Sequence, residues 1–428
     1  MLKNWSQTVA YRSSSVRRPT SVEEIREIVG DPAIASVKVL GTRHCFNPIA
    51  DTRDGGIHLC LDAFKTITCD GEEVHFGAGV TYSELIEAVD RAGMAVENLP
   101  SLPHINVVGS MITCTHGSGA DHRILASYLT RFEVVLPDGT VRSMVKGDGP
   151  SRFYSRLLSF GALGVITSMS LRVVRPFRVH KAIYERMEWD TMFDDANFDP
   201  IMRAGEFVSF FCDWRERVMS TVWIGRKHSG GGERPTRPDR FYGAPHIAEQ
   251  SVHPVPGNRP SACVTVGDGT WKNKVYHFLP DQPPSADGDE IQTEFFVRYQ
   301  DFREAMDALY AGRDRFQHLV QITEIRMVAG DDIPMSPAKG SDVVAIHWTW
   351  HRRLDEVLAV LPLIESILNP FDAKPHFGKL FVLDGKRMAA LYGDDLVTLR
   401  GLIERHDPAG KFSNAFVQRY VFSAAGQS

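Results

Sequence analysis

One histidine stands on a turn where its ring could meet a ligand. The run Val37-Lys38-Val39-Leu40 predicts a short strand that leads into Gly41, Thr42, Arg43 and His44. Successive backbone N–H groups in such a turn can form a nest for phosphate oxygens. The spacing alone is more typical of a strand-ending loop whose histidine faces solvent, so both interpretations stay open at this point.

A second segment concentrates small and hydroxyl residues. Residues 107–119 contain three glycines, four serines or threonines, and His116. Glycine lets a backbone approach a large flat ligand, and hydroxyl groups can bond its polar edge. The apolar residues Val107 and Met111 indicate partial burial, and buried polar groups need partners. The segment therefore favours a bound cofactor over a flexible loop.

Two strand-like segments each carry polar residues at alternate positions. Side chains at i and i+2 of a strand point to the same face. Glu324 and Arg326 therefore share one face, as do His347 and Thr349. A carboxylate that accepts and a guanidinium that donates suit the recognition of hydroxyl groups. A solvated sheet face with a cross-strand ion pair explains the same pattern equally well.

Two further motifs are weaker. Residues 160–167 form a glycine-rich turn that leads into an apolar strand, as many strands do. Lys379 lies between apolar residues of the run 374–381. Such a lysine is either partly buried with a shifted pKa, or extends its ammonium group to water.

Signatures of several other enzyme classes are missing from the sequence. It contains no phosphate-binding P-loop pattern, no H-E-x-x-H and no G-x-S-x-G. Gly77-Ala78-Gly79 follows a predicted strand but lacks the third glycine of a dinucleotide fingerprint. We therefore expect no metal site and no Rossmann-type nucleotide site.

The elements that must position these residues alternate along the N-terminal part of the chain. Capped amphipathic patterns predict helices over 21–30 and 83–92. Short apolar runs predict strands over 37–40, 56–61 and 73–77. This alternation is typical of a layered α+β or α/β domain.

The composition changes near residue 175 and changes back near residue 375. We therefore predict three segments, 1–175, 176–374 and 375–428, of which the middle one forms a separate domain. A Pro-Asp-Gly turn predicts a hairpin over 131–144 in the first segment. The last segment is predicted to hold a helix over 397–405, followed by coil with strand-like pieces.

The bulk composition is that of a globular enzyme. The 428 residues are 43% hydrophobic and 24% charged, with a formal net charge of −5. This charge gives no electrostatic footprint for nucleic acid or an anionic membrane. The six cysteines form no C-x-x-C pair, and no apolar run approaches the roughly 18 residues of a membrane span. We expect a cytoplasmic monomer with reduced thiols.

Five separated motifs together resemble the vanillyl-alcohol-oxidase-type flavoproteins, and most of all their alditol (xylitol) oxidase branch. They are GTRHCFN at 41–47, SLPHINVVGSMITCTHGSG at 101–119, GALGVIT at 161–167, TEIRMV at 323–328 and KPHFGKLF at 374–381. The resemblance implies an α+β, two-domain FAD-binding fold of the PCMH type with a mixed α/β cap domain. Residues 1–175 and 375–428 would then form the FAD-binding domain, and residues 176–374 the substrate cap.

The resemblance also assigns residues. It implies that His44 is bonded covalently to the 8α-methyl group of FAD. The implied cofactor-binding residues are Gly41, Thr42, Arg43, Cys45, Ser101, Asn106, Gly109, Thr113, Thr115, His116, Gly117 and Ile166. The implied substrate-binding residues are Ser101, Glu324, Arg326 and Thr349. The catalytic candidates are Arg326 and Lys379, which would stabilise a developing alkoxide, and His347, which would assist proton removal or bind substrate.

The expected reaction is oxidation of a primary alcohol of a polyol such as xylitol or sorbitol to the aldose. Hydride would pass to flavin N5 and O2 would be reduced to hydrogen peroxide. The nearest alternative is a sugar-1,4-lactone oxidase or dehydrogenase of the same superfamily. An inert flavin-binding module and a hydrolase that uses the glutamate and histidine residues are the alternatives from other classes.

The chain departs from the family pattern at three positions. Arg43 stands where the family often has glycine, and Cys45 where it often has serine. Pro100 precedes Ser101, near where the flavin would meet oxygen. These departures put in doubt the phosphate contacts of the turn and the choice between oxidase and dehydrogenase behaviour.

Overall fold

The computed structural model describes residues 1–230, 235–247, 251–282 and 284–423. The N-terminal part contains two sheets. The first is parallel with strand order β1-β3-β2, and the second is antiparallel with order β4-β5-β8-β6-β7. Their strands are β1 (Val16–Arg17), β2 (Val37–Leu40), β3 (Ile57–Cys60), β4 (Ile67–Asp70), β5 (Glu73–Gly77), β6 (Leu129–Val135), β7 (Val141–Val145) and β8 (Val165–Arg172).

Four helices accompany these sheets. They are α1 (Val22–Gly30), α2 (Tyr82–Arg91), α3 (Val107–Ile112) and α4 (Pro150–Leu157). Helix α2 begins with a capping box in which Thr81 and Glu84 bond each other's backbone N–H groups. The strands and the two helices predicted before residue 92 are confirmed to within two residues at each end, because their apolar periodicity matches the face that packs.

The middle segment forms one eight-stranded sheet of order β14-β9-β11-β10-β16-β17-β15-β18, and a separate two-stranded hairpin, β12-β13. Its strands are β9 (Arg178–Glu188), β10 (Phe207–Cys212), β11 (Val218–His228), β12 (Arg240–Phe241), β13 (Ala244–Pro245), β14 (Gly267–Thr270), β15 (Glu290–Arg298), β16 (Val320–Val328), β17 (Val343–His351) and β18 (Lys374–Pro375). Its helices are α5 (Trp189–Met192), α6 (Phe198–Met202), α7 (Trp271–Lys274), α8 (Phe302–Gly312) and α9 (Leu354–Leu368).

The two faces of this sheet differ in polarity. On β17 the indole of Trp348 stacks on Trp214 at 6.1 Å between ring centroids, and Trp350 meets Phe316 at 6.3 Å. His347 and Thr349 alternate with these tryptophans, so they point to the other face. One face of the sheet therefore packs on an apolar core, and the opposite face carries polar residues.

The C-terminal segment connects the two parts of the molecule. Strand β18 lies at the edge of the eight-stranded sheet, called here the cap sheet. Just beyond it, the carbonyl of Gly378 accepts a hydrogen bond from the backbone N–H of Phe46 at 2.8 Å. The Asn47 amide donates to the carbonyls of Phe377 and Lys379, both at 2.7 Å. These bonds fix Lys379 beside the turn that carries His44.

The predicted C-terminal elements were partly wrong. The stretch Gly385–His406, labelled α10, contains two helices that meet at a kink at Gly393, where φ is 45°; the predicted 397–405 lies within the second, and the first was not predicted. The tail forms α11 (Ala415–Val417) and a π-helical turn instead of coil with strand-like pieces. Within the described residues, no helix is long and apolar enough to span a bilayer.

Candidate active site

A large cavity lies between the N-terminal sheets and the polar face of the cap sheet. It encloses about 1870 Å³ of space free of protein atoms, including its mouth. The predicted site residues that line it are Gly41, Thr42, Arg43, His44, Cys45, Ser101, Asn106, Gly109, Thr113, Thr115, His116, Ile166, Glu324, Arg326, His347, Thr349 and Lys379.

Residues 41–45 and 106–116 form one wall, called here the N-terminal cradle. Asn106 holds it together, because its Oδ1 accepts from the Thr42 N–H at 2.6 Å and its Nδ2 donates to the Gly79 carbonyl at 2.9 Å. A side chain at Gly41 would collide with Asn106, since an added Cβ would lie 2.5 Å from Oδ1.

The turn of the cradle offers free backbone donors. The N–H groups of Arg43, His44 and Cys45 bond to no other residue in the described part of the chain. Consecutive free N–H groups on a turn are an anion-binding feature. The turn can therefore take the phosphate oxygens of a nucleotide cofactor.

Arg43 occupies an unusual backbone conformation. Its φ is 59°, in the left-handed region that favours glycine. Its guanidinium donates to the carbonyl of Lys3 at 2.9 Å and is exposed. The charge of Arg43 is therefore directed away from the cavity, although the residue belongs to the turn.

His44 is held as a neutral ring. It stacks on Trp5 with 4.2 Å between ring centroids and 23° between planes. Burial, and then the charges of Lys379 and His104, lower its pKa to about 3. Its Nε2 is buried without a hydrogen-bond partner. A neutral imidazole without partners is available as a nucleophile or as a ligand-binding group.

Cys45 is a protonated thiol at neutral pH. Burial raises its pKa to about 11, although the nearby Lys379 lowers it. Its backbone carbonyl accepts from the Asn4 amide at 3.0 Å, which ties the N-terminal residues to the turn.

The glycine and hydroxyl segment supplies the floor of the cradle. A Cβ added to Gly109 would meet nothing within 4 Å, so this helix position opens directly to the cavity. Thr113 Oγ donates to the Gly109 carbonyl at 3.0 Å, which closes helix α3. Gly117 differs from the other predicted residues: it packs against Asn98 and does not line the cavity.

The opposite wall is a polar row on the cap sheet, defined as Glu294, His347, Glu324, Arg326 and Thr349. Register places Glu294 of β15 opposite His347 of β17, and His347 opposite Glu324 of β16. The predicted sharing of faces by Glu324 with Arg326, and by His347 with Thr349, is confirmed because all four line the same cavity.

Arg326 is surrounded by acceptors. Its Nη1 donates to Ser101 Oγ at 3.0 Å, and its Nε lies 3.4 Å from Glu324 Oε1. The second contact has ion-pair distance without hydrogen-bond geometry, since both of these atoms remain buried without a hydrogen-bond partner. Burial raises the pKa of Glu324, but the charges of Arg326 and His277 outweigh it and hold the pKa below its usual value.

Lys379 reaches the cavity from the C-terminal segment. Its ammonium group donates to Gln292 Oε1 and lies 5.3 Å from the centroid of the Phe46 ring. Burial lowers its pKa, against the opposing charges of Glu294 and Glu290. Lys379 thus brings a positive charge close to both His44 and the polar row.

Sequence reasoning missed three residues of this site, Glu294, Gln292 and His277. Glu294 is only 2% exposed and touches two histidines. Gln292 and Glu294 stand at alternate positions of one strand, the same spacing that identified Glu324 and Arg326. His277 gave no such signal, because it lies outside any strand and meets Glu324 only through tertiary packing.

The residues present fit FAD. Free N–H groups at 43–45 suit its pyrophosphate, and the open position at Gly109 allows close approach of a large planar ring. Buried atoms without partners, such as His44 Nε2, face the same cavity. Across the described ranges, no cluster of three or more His, Cys, Asp or Glu could hold a metal ion.

Comparisons with known proteins agree with this geometry. The family model described as FAD binding domain matches residues 13–144, and the one described as D-arabinono-1,4-lactone oxidase matches residues 290–420. The alditol oxidase of a Streptomyces species is 34% identical over 420 residues, covering 97% of each chain. The L-gulonolactone oxidase of Mus musculus is 23% identical, covering 98% of each chain.

Among solved structures, a cholesterol oxidase from B. sterolicum superimposes with a TM-score of 0.76 at 13% identity, covering 98% of this chain and 96% of that one. At that identity the likeness concerns the fold, which is the α+β, two-domain FAD-binding fold expected from the motifs. Together with the full-length similarity to an alditol oxidase, it identifies this chain as a flavin-dependent oxidase of the alditol oxidase branch of the vanillyl-alcohol-oxidase-type family.

Proposed function

We propose that the protein oxidises a primary alcohol of an alditol, such as xylitol or sorbitol, to the aldose, with O2 reduced to hydrogen peroxide. The polar row carries this proposal, because its hydrogen-bonding groups face a cavity that the N-terminal cradle shares. The similarity to a full-length alditol oxidase supports the same substrate class.

The row matches the hydroxyl groups of a polyol. Each hydroxyl both donates and accepts, so a chain of them needs both kinds of partner in succession. Glu324 offers carboxylate oxygens, Arg326 and Lys379 offer N–H donors, and Ser101 and Thr349 offer hydroxyls. The unpartnered Glu324 Oε1 and Arg326 Nε are two atoms that a bound hydroxyl would satisfy.

The chain's own residues also suit the chemistry of alcohol oxidation. Arg326 and Lys379 would stabilise the negative charge that develops on the substrate oxygen, as preorganised donors do in a water-poor site. His347 would accept the hydroxyl proton. FAD, when bound, would supply the hydride acceptor and the means of reducing O2.

His44 is proposed as the covalent attachment site of FAD, through an 8α-histidyl bond. Its low pKa keeps the ring in the neutral, nucleophilic form, and Trp5 fixes its orientation. The cradle residues Thr42, Asn106, Gly109, Thr113, Thr115 and Ile166 would surround the cofactor. Gly117 would act indirectly, by letting the segment pack against Asn98. A cytoplasmic location and a monomeric state stay predictions from the sequence.

A sugar-1,4-lactone oxidase is the second candidate. The match of residues 290–420 to the D-arabinono-1,4-lactone oxidase family favours it, because this range includes the polar row and Lys379. The paired charges of Glu324 and Arg326 suit a lactone's hydroxyls as well as those of an alditol.

Anaerobic bleaching of the bound flavin separates the two candidates. Xylitol, sorbitol, glycerol and gulonolactone are each mixed with the purified yellow protein, and the loss of flavin absorbance is followed. We expect xylitol and sorbitol to bleach the flavin faster than gulonolactone. Bleaching by the lactone alone would replace alditol oxidation with lactone oxidation as the function.

A further inference from the structure

Glu294 is a buried carboxylate between two histidines from different parts of the chain. Its Oε1 lies 2.5 Å from Nε2 of His116, in the segment after helix α3. Its Oε2 lies 2.6 Å from Nδ1 of His347, on β17. Glu294 therefore links the N-terminal cradle to the polar row through two short hydrogen bonds.

His116 has an acceptor on each side of its ring. Its Nδ1 lies 2.8 Å from the carbonyl oxygen of Gly117, which can only accept. Its Nε2 faces the carboxylate of Glu294. Burial raises the pKa of Glu294, but its contact with His116 and the hydrogen bonds from His116 and His347 hold that pKa well below its usual value. The carboxyl group is therefore ionised.

The ionised carboxylate also defines the tautomer of His347. Burial lowers the pKa of His347, although the hydrogen bond that the ring donates to Glu294 opposes this. The ring is therefore neutral before substrate binds. A neutral imidazole has one N–H, and the carboxylate at 2.6 Å takes it on Nδ1. The lone pair is left on Nε2, which is the nitrogen available to the cavity.

We infer that Glu294 is a positioning residue that makes Nε2 of His347 the proton acceptor for the substrate hydroxyl, with His116 as the partner that holds its other carboxylate oxygen. This inference rests on the proposed alcohol oxidation. The O–H bond of the substrate breaks and its proton goes to Nε2, while the hydride of the same carbon leaves to the flavin. Glu294 stabilises the imidazolium formed on His347 and stays ionised throughout, as the carboxylate of a Ser-His-Asp triad does.

An amide at position 294 would reverse this arrangement. In Glu294→Gln the side chain has nearly the same shape, but its NH2 group can donate to Nδ1 of His347. That bond places the ring proton on Nε2 and removes the acceptor. Loss of the correct tautomer costs about 10⁴-fold in a Ser-His-Asp triad, so we expect flavin reduction to slow by about 10³- to 10⁴-fold.

The test is the pH dependence of anaerobic flavin reduction by xylitol. The parent rate should rise with pH and level off once His347 is neutral. The rate of Glu294→Gln should keep rising, because hydroxide must then take the proton. The surroundings of Glu294 and His347 also contain four other titratable residues, namely Lys379, His376, His277 and Glu324. The test therefore needs a control variant in which these four residues are intact. Glu216→Gln makes the same change at an exposed carboxylate outside the cavity, where it pairs with Arg186, and should keep the parent profile.

The outcomes separate the two proposals. If no alditol reduces the parent, the proposed function fails. If xylitol reduces the parent, and Glu294→Gln stays within about threefold of it with the same profile, only the role of Glu294 is overturned. Should Glu294→Gln fail to fold, the ring ¹⁵N shifts of His347 in the parent decide, assigned by their loss in His347→Gln. Protonated Nδ1 supports the inference, and protonated Nε2 overturns it.

Discussion

The N-terminal cradle and the polar row face the same cavity but differ in how many of their polar groups have hydrogen-bond partners within the protein. In the row most polar groups bond within the protein, as Glu294 does with His347 and Arg326 with Ser101, while Glu324 Oε1 and Arg326 Nε have no hydrogen-bond partner among the described residues. In the cradle the N–H groups of residues 43–45 and the Nε2 atom of His44 have no partner among the described residues. The row is therefore held largely by bonds within the protein, with two atoms left for a bound hydroxyl, whereas the cradle leaves its backbone donors for the cofactor.

The largest expected effect comes from breaking the row while leaving the cradle intact. Arg326→Ala removes a buried donor that would face the developing alkoxide, so turnover with xylitol should fall by about 10²- to 10³-fold. Flavin content, read from the absorbance of the purified protein, should stay that of the parent. The exposed Arg186 on β9, which pairs only with Glu216, provides a matched control: Arg186→Ala should keep turnover. Full activity of Arg326→Ala would remove Arg326 from the mechanism.

The converse change breaks the cradle and leaves the row intact. His44→Ala removes the proposed attachment atom, so flavin should no longer stay with the chain after acid precipitation. Because the other cradle residues remain, reconstituted FAD should still bind without a covalent bond. His318→Ala on the surface should keep the acid-stable colour. Acid-stable flavin in His44→Ala would contradict covalent attachment at this residue.

The row and its neighbours should also make stability depend on pH. Burial lowers the pKa values of His277 and His376 to about 3, against about 6.5 in the unfolded chain. Between these values the unfolded chain binds more protons, so stability is full above pH 6.5 and falls as the pH drops towards 3. Each group contributes up to about 1.4 kcal/mol per pH unit. Thermal midpoints from pH 7 to pH 4 measure the slope, and His277→Gln should make it shallower; an unchanged slope would contradict a buried neutral His277.

The smallest effect is expected at Arg43, in the cradle. Glycine would relieve the left-handed backbone, which costs other residues about 1–2 kcal/mol, but would lose the bond to the Lys3 carbonyl. The free energy of unfolding should change by about 1 kcal/mol or less, and acid-stable flavin should be unchanged. Urea unfolding measures the first and acid precipitation the second. Loss of bound flavin in Arg43→Gly would show that the arginine contributes to the cofactor site.

The same comparison shows what the sequence could predict. The turn of the cradle is local: its strand, glycine and histidine are adjacent in sequence, and the position of His44 could be predicted from its motif. The faces of Glu324 with Arg326 and of His347 with Thr349 followed from strand alternation. These parts depend on short-range periodicity, which a single sequence records.

The remainder depends on contacts between distant segments. Glu294 meets His116 across 178 residues, and no spacing rule connects them. Gly117 is predicted at the cofactor by its motif, yet lies against Asn98 because the chain turns away after His116. The positive φ of Arg43 gives a physical reason why glycine suits that position, and only backbone geometry could reveal it.

The most direct test of the central claim, that the cradle and the row together oxidise an alditol, is product stoichiometry. Purified protein is incubated aerobically with xylitol, and xylitol, aldose and hydrogen peroxide are each quantified. The account predicts equal amounts of aldose and peroxide formed for the xylitol consumed. Consumption of gulonolactone with no consumption of xylitol, or aldose formed without peroxide, would contradict it.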